Sequence, residues 1–270
     1  EAILDTRRKS GSKKYTFEAM YGLVGTLENA RSRPSNTRLL SFDELMILCD
    51  YLDCSIPERN RVLEKAQYEP ILRFVDGEEL KVALEVAQEV MAYIPMPAYV
   101  ITQDWHVQYW NNYILRLFGL TDAQAKALKL NGRLSVLHFI FDHNLGLRQY
   151  LAGEDGTWEE MAFRNVYTFK TANWLYRYDP WYLLELEKLM KLPDFEHYFE
   201  QAQVDVAHPR LKAEFISQIK YPNNTTFRFR SLFIVNGSFY YPQVAAYMPI
   251  GEESIEVMRS LGVPVITAAH

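Results

Sequence analysis

The sequence predicts an all-α N-terminal part followed by an α+β domain, whose antiparallel sheet is interrupted by a long helical insertion. Three observations predict it. Residues 1–69 place apolar side chains at helical spacing between good capping residues. Residues 97–119, PAYVITQDWHVQYWNNYILRLFG, read as two short strands and then a helix. Residues 215–248 return to the strand pattern after a middle rich in Leu and Trp.

The N-terminal helices are marked by their ends. Thr16 opens a run carrying Phe17, Met20, Leu23, Val24 and Leu27, which stops in Glu28-Asn29-Ala30-Arg31-Ser32-Arg33-Pro34. Ser41-Phe42-Asp43-Glu44 supplies a serine cap with two acidic residues in the first turn. That helix runs through Leu45, Met46, Leu48 and Cys49 to about Asp53, and Ser55-Ile56-Pro57-Glu58 starts another. Residues 71–95 form a connecting helix with a stripe of Leu72, Val75, Leu80, Ala83, Leu84, Ala87, Val90 and Met91, ended by Ile94-Pro95. The stripe packs within the chain or against a second copy, the first being the plainer reading.

In the second half, Tyr99-Val100-Ile101 is a strand and Gln103-Asp104 a polar turn. His106-Val107-Gln108-Tyr109-Trp110 alternates at the strand period, and Asn111 caps a helix burying Ile114, Leu115, Leu117 and Phe118. Trp158, Met161, Phe163, Val166, Trp174, Leu175 and Trp181 fit helices through about Gln203. Strands are expected at 215–219, 227–235 and 239–248, with Asn236-Gly237-Ser238 as a turn.

Composition narrows the function classes. The chain has 270 residues with 18 Tyr, 15 Phe and 5 Trp, more aromatic surface than a core of this size needs. A net charge of −5 argues against indiscriminate nucleic-acid binding, yet residues 1–38 carry +4 and the remainder −9. A basic end on an acidic body fits a small nucleic-acid-binding module joined to something else. Cys49 and Cys54 read as buried thiols in a reducing compartment, since no second pair completes a metal site. The sequence shows no signal peptide, and no apolar run approaches the ~20 residues of a membrane span. Asn223, Asn224 and Asn236 then stand in turn sequences rather than glycosylation sites. The expectation is a soluble, cytoplasmic protein.

Two resemblances build on these residues. Residues 16–69, with LEN, then basic residues and RP, then a capped helix, then SIPERNRVLEKA, resemble the helix-turn-helix module of the bacterial XRE/Cro type. Residues 1–15 match that module poorly. The hairpin-to-helix opening at 97–119 resembles PAS-type sensor modules. More specifically, residues 97 to about 251 look like the MmyB-like ligand-binding domain, which follows an XRE-type module in a family of bacterial regulators. WHVQYWN stands in the place of that family's W-x-V-x-x-W-N signature, LPDFEHYFEQAQV resembles its SPEFRRLWxxHDV, and VAAYMPIG matches its ending. The family's His-Asp pair is Ala202-Gln203 here, so no role is carried over to it.

The resemblance implies a transcription regulator with a helix-turn-helix at 1–70, a connecting helix at 71–95, a PAS-like ligand-binding domain at 96–252 and a tail at 253–270. It implies DNA contacts at Lys13, Lys14, Thr16, Tyr21, Arg31 and Arg33, a homodimer, and a small apolar ligand, with a fatty acid the leading candidate. The ligand candidates are Tyr99, Tyr109, Trp110, Leu117, Phe118, His138, Phe141, Phe163, Trp174, Phe227, Phe229 and Tyr247, with Arg228 and Arg230 as partners for a carboxylate. Arg164 and His143 are further candidates for that role. Each aromatic also reads as ordinary core, and the two strand arginines as solvated surface. Beyond a possible bound fatty acid no cofactor is indicated. His138 and His143 flank Asp142, but the sequence lacks the H-E-x-x-H, C-x-x-C, nucleophile-elbow and phosphate-loop patterns, which argues against catalysis. The alternative is a lipid carrier whose helix-turn-helix no longer reads DNA.

Overall fold

The structure, a computed structural model, describes residues 2–9, 14–24, 40–71, 74–145, 157–204, 216–221, 225–235 and 241–264. The chain divides into two compact units, residues 1–73 with 175–183, and residues 74–174 with 184–270.

The first unit is helical: α1 (Ala2–Lys9), α2 (Phe17–Leu23), α3 (Phe42–Tyr51) and α4 (Ile56–Lys65). The starts lie where the sequence places them. Thr16 Oγ1 accepts from Ala19 N–H at 3.0 Å. Ser41 and Glu44 exchange bonds as a capping box, at 2.7 and 3.2 Å. Ser55 N–H donates to Glu58 at 3.0 Å. Leu4, Met20, Val24, Leu48, Cys49, Leu52 and Cys54 form one buried cluster, and both cysteines are free thiols. The residues 175–183 complete this unit. Asp179 accepts from the Ile56 N–H at 2.7 Å, and Arg177 joins Arg59 on the Asp50 carboxylate, each at 2.5 Å. Arg59 is fully buried and also donates to the Cys54 carbonyl at 3.0 Å. A guanidinium in that position is satisfied only because those oxygens converge on it.

The second unit contains α5 (Gly77–Ala92), β1 (Ala98–Ile101), β2 (Val107–Trp110), α6 (Asn112–Leu117), α7 (Asp122–Leu130), α8 (Val136–Phe141) and α9 (Thr157–Ala172). After α10 (Pro180–Leu189), which begins in the first unit, come α11 (Phe195–Gln201), β3 (Ile216–Lys220), β4 (Thr226–Val235), β5 (Gln243–Pro249) and α12 (Glu252–Ser260). The strands make one sheet in the order β2-β1-β5-β4-β3, with every pairing antiparallel. β1 is buried on both faces. Ala98 and Val100 pack with Val244 and Ala246 against Ala87 and Met91 of α5, while Tyr99 and Ile101 face the other way.

The stripe of the connecting helix packs on the sheet of its own chain, the plainer of the two readings, in a helix spanning Gly77–Ala92 rather than 71–95. Two other expectations change here. Residues 252–260 are a helix on β4 and β5 rather than a tail, because Val257 and Met258 have apolar surface to bury. The 106–110 strand does not alternate regularly. Tyr99 pairs with Trp110 and Val100 with Tyr109, but Ile101 pairs with Val107, so Gln108 is a bulge. The turn expected at 236–238 lies outside the described residues.

Candidate functional site

The second unit holds a cavity between the sheet face carrying Tyr99 and helices α6 to α9. It encloses about 970 Å³ of non-atom space, its open mouth included. Each strand supplies it by alternation: Tyr99 and Ile101 from β1, Ser217 and Ile219 from β3, Phe229, Ser231 and Phe233 from β4, and Tyr247 from β5. The bulge lets β2 contribute both Val107 and Trp110, which strict alternation would put on opposite faces. Ile114, Leu115, Phe118, Val136, Phe139, Ile140 and Met161 close the helical side.

Aromatic contacts fix the wall. Phe229 stacks on Tyr247 with ring centres 4.1 Å apart, and Tyr247 meets Tyr99 edge-on at 5.7 Å. The two phenol oxygens are 3.4 Å apart, and burial pushes the Tyr99 hydroxyl up to about 12 and that of Tyr247 well above its ordinary value. Trp105 sits in the wall with φ 63°, a left-handed conformation that costs a non-glycine residue on the order of 1 kcal/mol. Its indole N–H is buried without a hydrogen-bond partner.

Behind this wall lies a polar network. His106 Nε2 is 2.9 Å from the buried Glu185, which also accepts from Lys188 at 2.9 Å. Burial opposes charge on both groups, but their mutual bond, with Asp104 and Lys188, leaves His106 raised and Glu185 lowered. His138 bonds the Ser135 hydroxyl at 2.7 Å; burial and then the nearby His106 hold it below its usual range.

Of the ligand candidates read from sequence, Tyr99, Trp110, Phe118, Phe229 and Tyr247 line the cavity. Tyr109 packs toward α5, on the side the bulge assigns to it. Leu117 and Phe227 are buried outside the lining, Phe141 packs with Trp158, Phe195 and Tyr198, and Phe163 is exposed. His138 and Trp174 also lie outside it. Arg228 and Arg230 are exposed and alternate away from Phe227 and Phe229. The lining residues the sequence reading passed over, among them Trp105, Phe139, Ser217, Ser231 and Phe233, come from turns, helix faces and strand ends whose partners are distant in sequence.

In the first unit Lys14 is paired with Asp53 at 2.6 Å, Thr16 serves as the cap of α2, and Tyr21 packs against the buried cluster. Lys13, Arg31 and Arg33 lie outside the described residues. Among the described residues no grouping of His, Cys, Asp or Glu could hold a metal ion, and no helix is long and apolar enough to cross a membrane.

Residues 84–216 match the family model described as the MmyB-like transcription regulator ligand binding domain. This portion of the chain, which carries β1, β2 and helices α6 to α9 beside the cavity, belongs to that family of MmyB-like transcription regulator ligand-binding domains. No curated protein matches the chain.

Proposed function

We propose that the protein is a DNA-binding transcription regulator controlled by a small apolar molecule held in the cavity of its second unit. The observation carrying this reading is the aromatic and aliphatic cavity between sheet and helices, in a domain of a regulator family. Burying an alkyl chain there contributes ~0.8 kcal/mol per CH₂, so a long chain supplies its own affinity. A fatty acid is the ligand type the family resemblance suggests. The first unit is the DNA-binding module, and a homodimer is expected because one helix-turn-helix covers one half-site.

Ligand and operator then report on each other. A ligand that prefers one arrangement of the domain shifts its population, and by linkage DNA must change ligand affinity by the same factor. The test measures DNA binding by fluorescence anisotropy, with and without a long-chain ligand and across salt concentrations. Substituting Arg31 and Arg33 by Ala should weaken binding and reduce the salt slope by about one for each phosphate left without its arginine. Salt-insensitive or absent DNA binding under all conditions would sink the regulator reading. It would favour the lipid-carrier reading, which draws support from Lys14 being held by Asp53 rather than standing free for phosphate.

A further inference from the structure

The described lining of the cavity is uncharged. Among the described residues its lining contains no Lys, Arg, His, Asp or Glu. Its polar groups are the phenols of Tyr99 and Tyr247, the hydroxyls of Ser217 and Ser231, the amide of Asn165 and the indole of Trp105. The nearest arginine on α9, Arg164, is bonded to Glu160 and lies 3.4 Å from the Ile216 carbonyl, and it does not line the cavity. Arg228 and Arg230 project from the other side of β4. No described cation is placed to neutralise an anion in this space.

We propose that the cavity takes its ligand uncharged: an alkyl chain ending in a neutral O–H group, an alcohol or an undissociated acid, received by the Tyr99–Tyr247 hydroxyl pair. This rests on the cavity being the ligand site, and it narrows that reading to one chemical class.

The hydroxyl inventory fits such an end group. Two phenols 3.4 Å apart share one hydrogen, which leaves one donor hydrogen and several lone pairs. A third hydroxyl both accepts that hydrogen and donates one of its own. A carboxylate only accepts, and it would carry its full charge into a lining with no counter-ion, where an unpaired ion is costly. The same desolvation already holds both phenols in their neutral form. An acid entering this site therefore picks up a proton first.

The experiment is calorimetric titration of the full chain with dodecanol and with dodecanoic acid from pH 5 to pH 8. The quantity read is the ratio of the two affinities, which cancels any titration of the protein common to both ligands. A free carboxylic acid ionises near pH 4–5, so the ratio should grow about tenfold in the alcohol's favour per pH unit. Tyr247→Phe keeps the ring stacked on Phe229 and should weaken dodecanol about three- to tenfold, the worth of one hydrogen bond. If that variant fails to fold, the ratio on the unaltered chain still decides. A ratio that stays flat, with dodecanoate binding as tightly as dodecanol at pH 8, would overturn the uncharged-ligand proposal while leaving the cavity as the ligand site. Binding of neither compound at any pH would overturn both.

Discussion

His106 Nε2 and Glu185 Oε1 lie 2.9 Å apart, directly behind the wall that Trp105 and Val107 present to the cavity. The pair is a buried charge-assisted contact with a defined pH window. His106 is raised, so its contribution is complete below its unfolded value of 6.5 and is lost as pH rises through the higher folded value. Glu185 is lowered, so its contribution is present above 4.5 and is lost as pH falls. Glu185→Gln should therefore cost most near pH 6, about 2–4 kcal/mol, and only about 1 kcal/mol once the pH has risen past the folded value of His106 and the ring is neutral. Thermal unfolding of both chains from pH 6 upward checks it, with the gap between them closing as the pH rises. His138 works the other way, since its depressed value makes folding weaken as pH falls below 6.5.

The Gln108 bulge decides which of two neighbouring aromatics shares the cavity face with Val107. Trp110→Ala should weaken binding of a long-chain alcohol at least tenfold, because the indole lines the cavity. Tyr109→Ala removes a ring packed on α5 instead, so it should lower stability by about 2–3 kcal/mol and leave affinity near its original value. Calorimetry beside denaturant unfolding distinguishes the two. The reverse pattern, with affinity lost in Tyr109→Ala and kept in Trp110→Ala, would mean that the strand alternates from Val107 without a bulge.

Asn111 holds the hairpin to the helix that follows. Its Oδ1 accepts from Ala98 N–H at 3.2 Å and Ile114 N–H at 3.1 Å, and its Nδ2 donates to the Met96 carbonyl at 2.6 Å. Asn111→Ala should cost about 2–4 kcal/mol, more than the ~1 kcal/mol of an ordinary cap such as Thr16→Ala. Urea unfolding midpoints at unchanged slope would report both.

Asp50 receives two guanidinium groups, from Arg59 and Arg177. Asp50→Ala leaves the fully buried Arg59 without its counter-ion and should destabilise the first unit by about 3–5 kcal/mol. Arg59→Met removes that buried charge and should cost less. The order of their unfolding midpoints is the readout, and equal losses would contradict the buried-ion argument.

What the sequence made legible was local. Ser41 with Glu44, Ser55 with Glu58, and Thr16 announce helix starts because capping is decided within three residues. The β-rich segments at 99–101 and 227–235 were readable for the same reason. The bulge was not, since Gln108 carries none of the glycine or proline marks that flag an irregular strand. Arg228 and Arg230 share a face as alternation requires, but which face meets the cavity depends on the pairing of β4 with β3 and β5. The membership of 175–183 in the first unit was beyond reach, because the Asp179 bond to Ile56 spans 123 residues.

The central claim is that a small apolar molecule occupies the space between the Tyr99 face of the sheet and helices α6 to α9. A crystal structure with a bromine-tagged long-chain alcohol tests it most directly, because anomalous scattering locates the halogen without reference to the protein. One bromine site is expected, within the lining of Trp110, Phe118, Phe229 and Tyr247. Bromine bound elsewhere on the chain, with that cavity empty at saturating ligand, would contradict it.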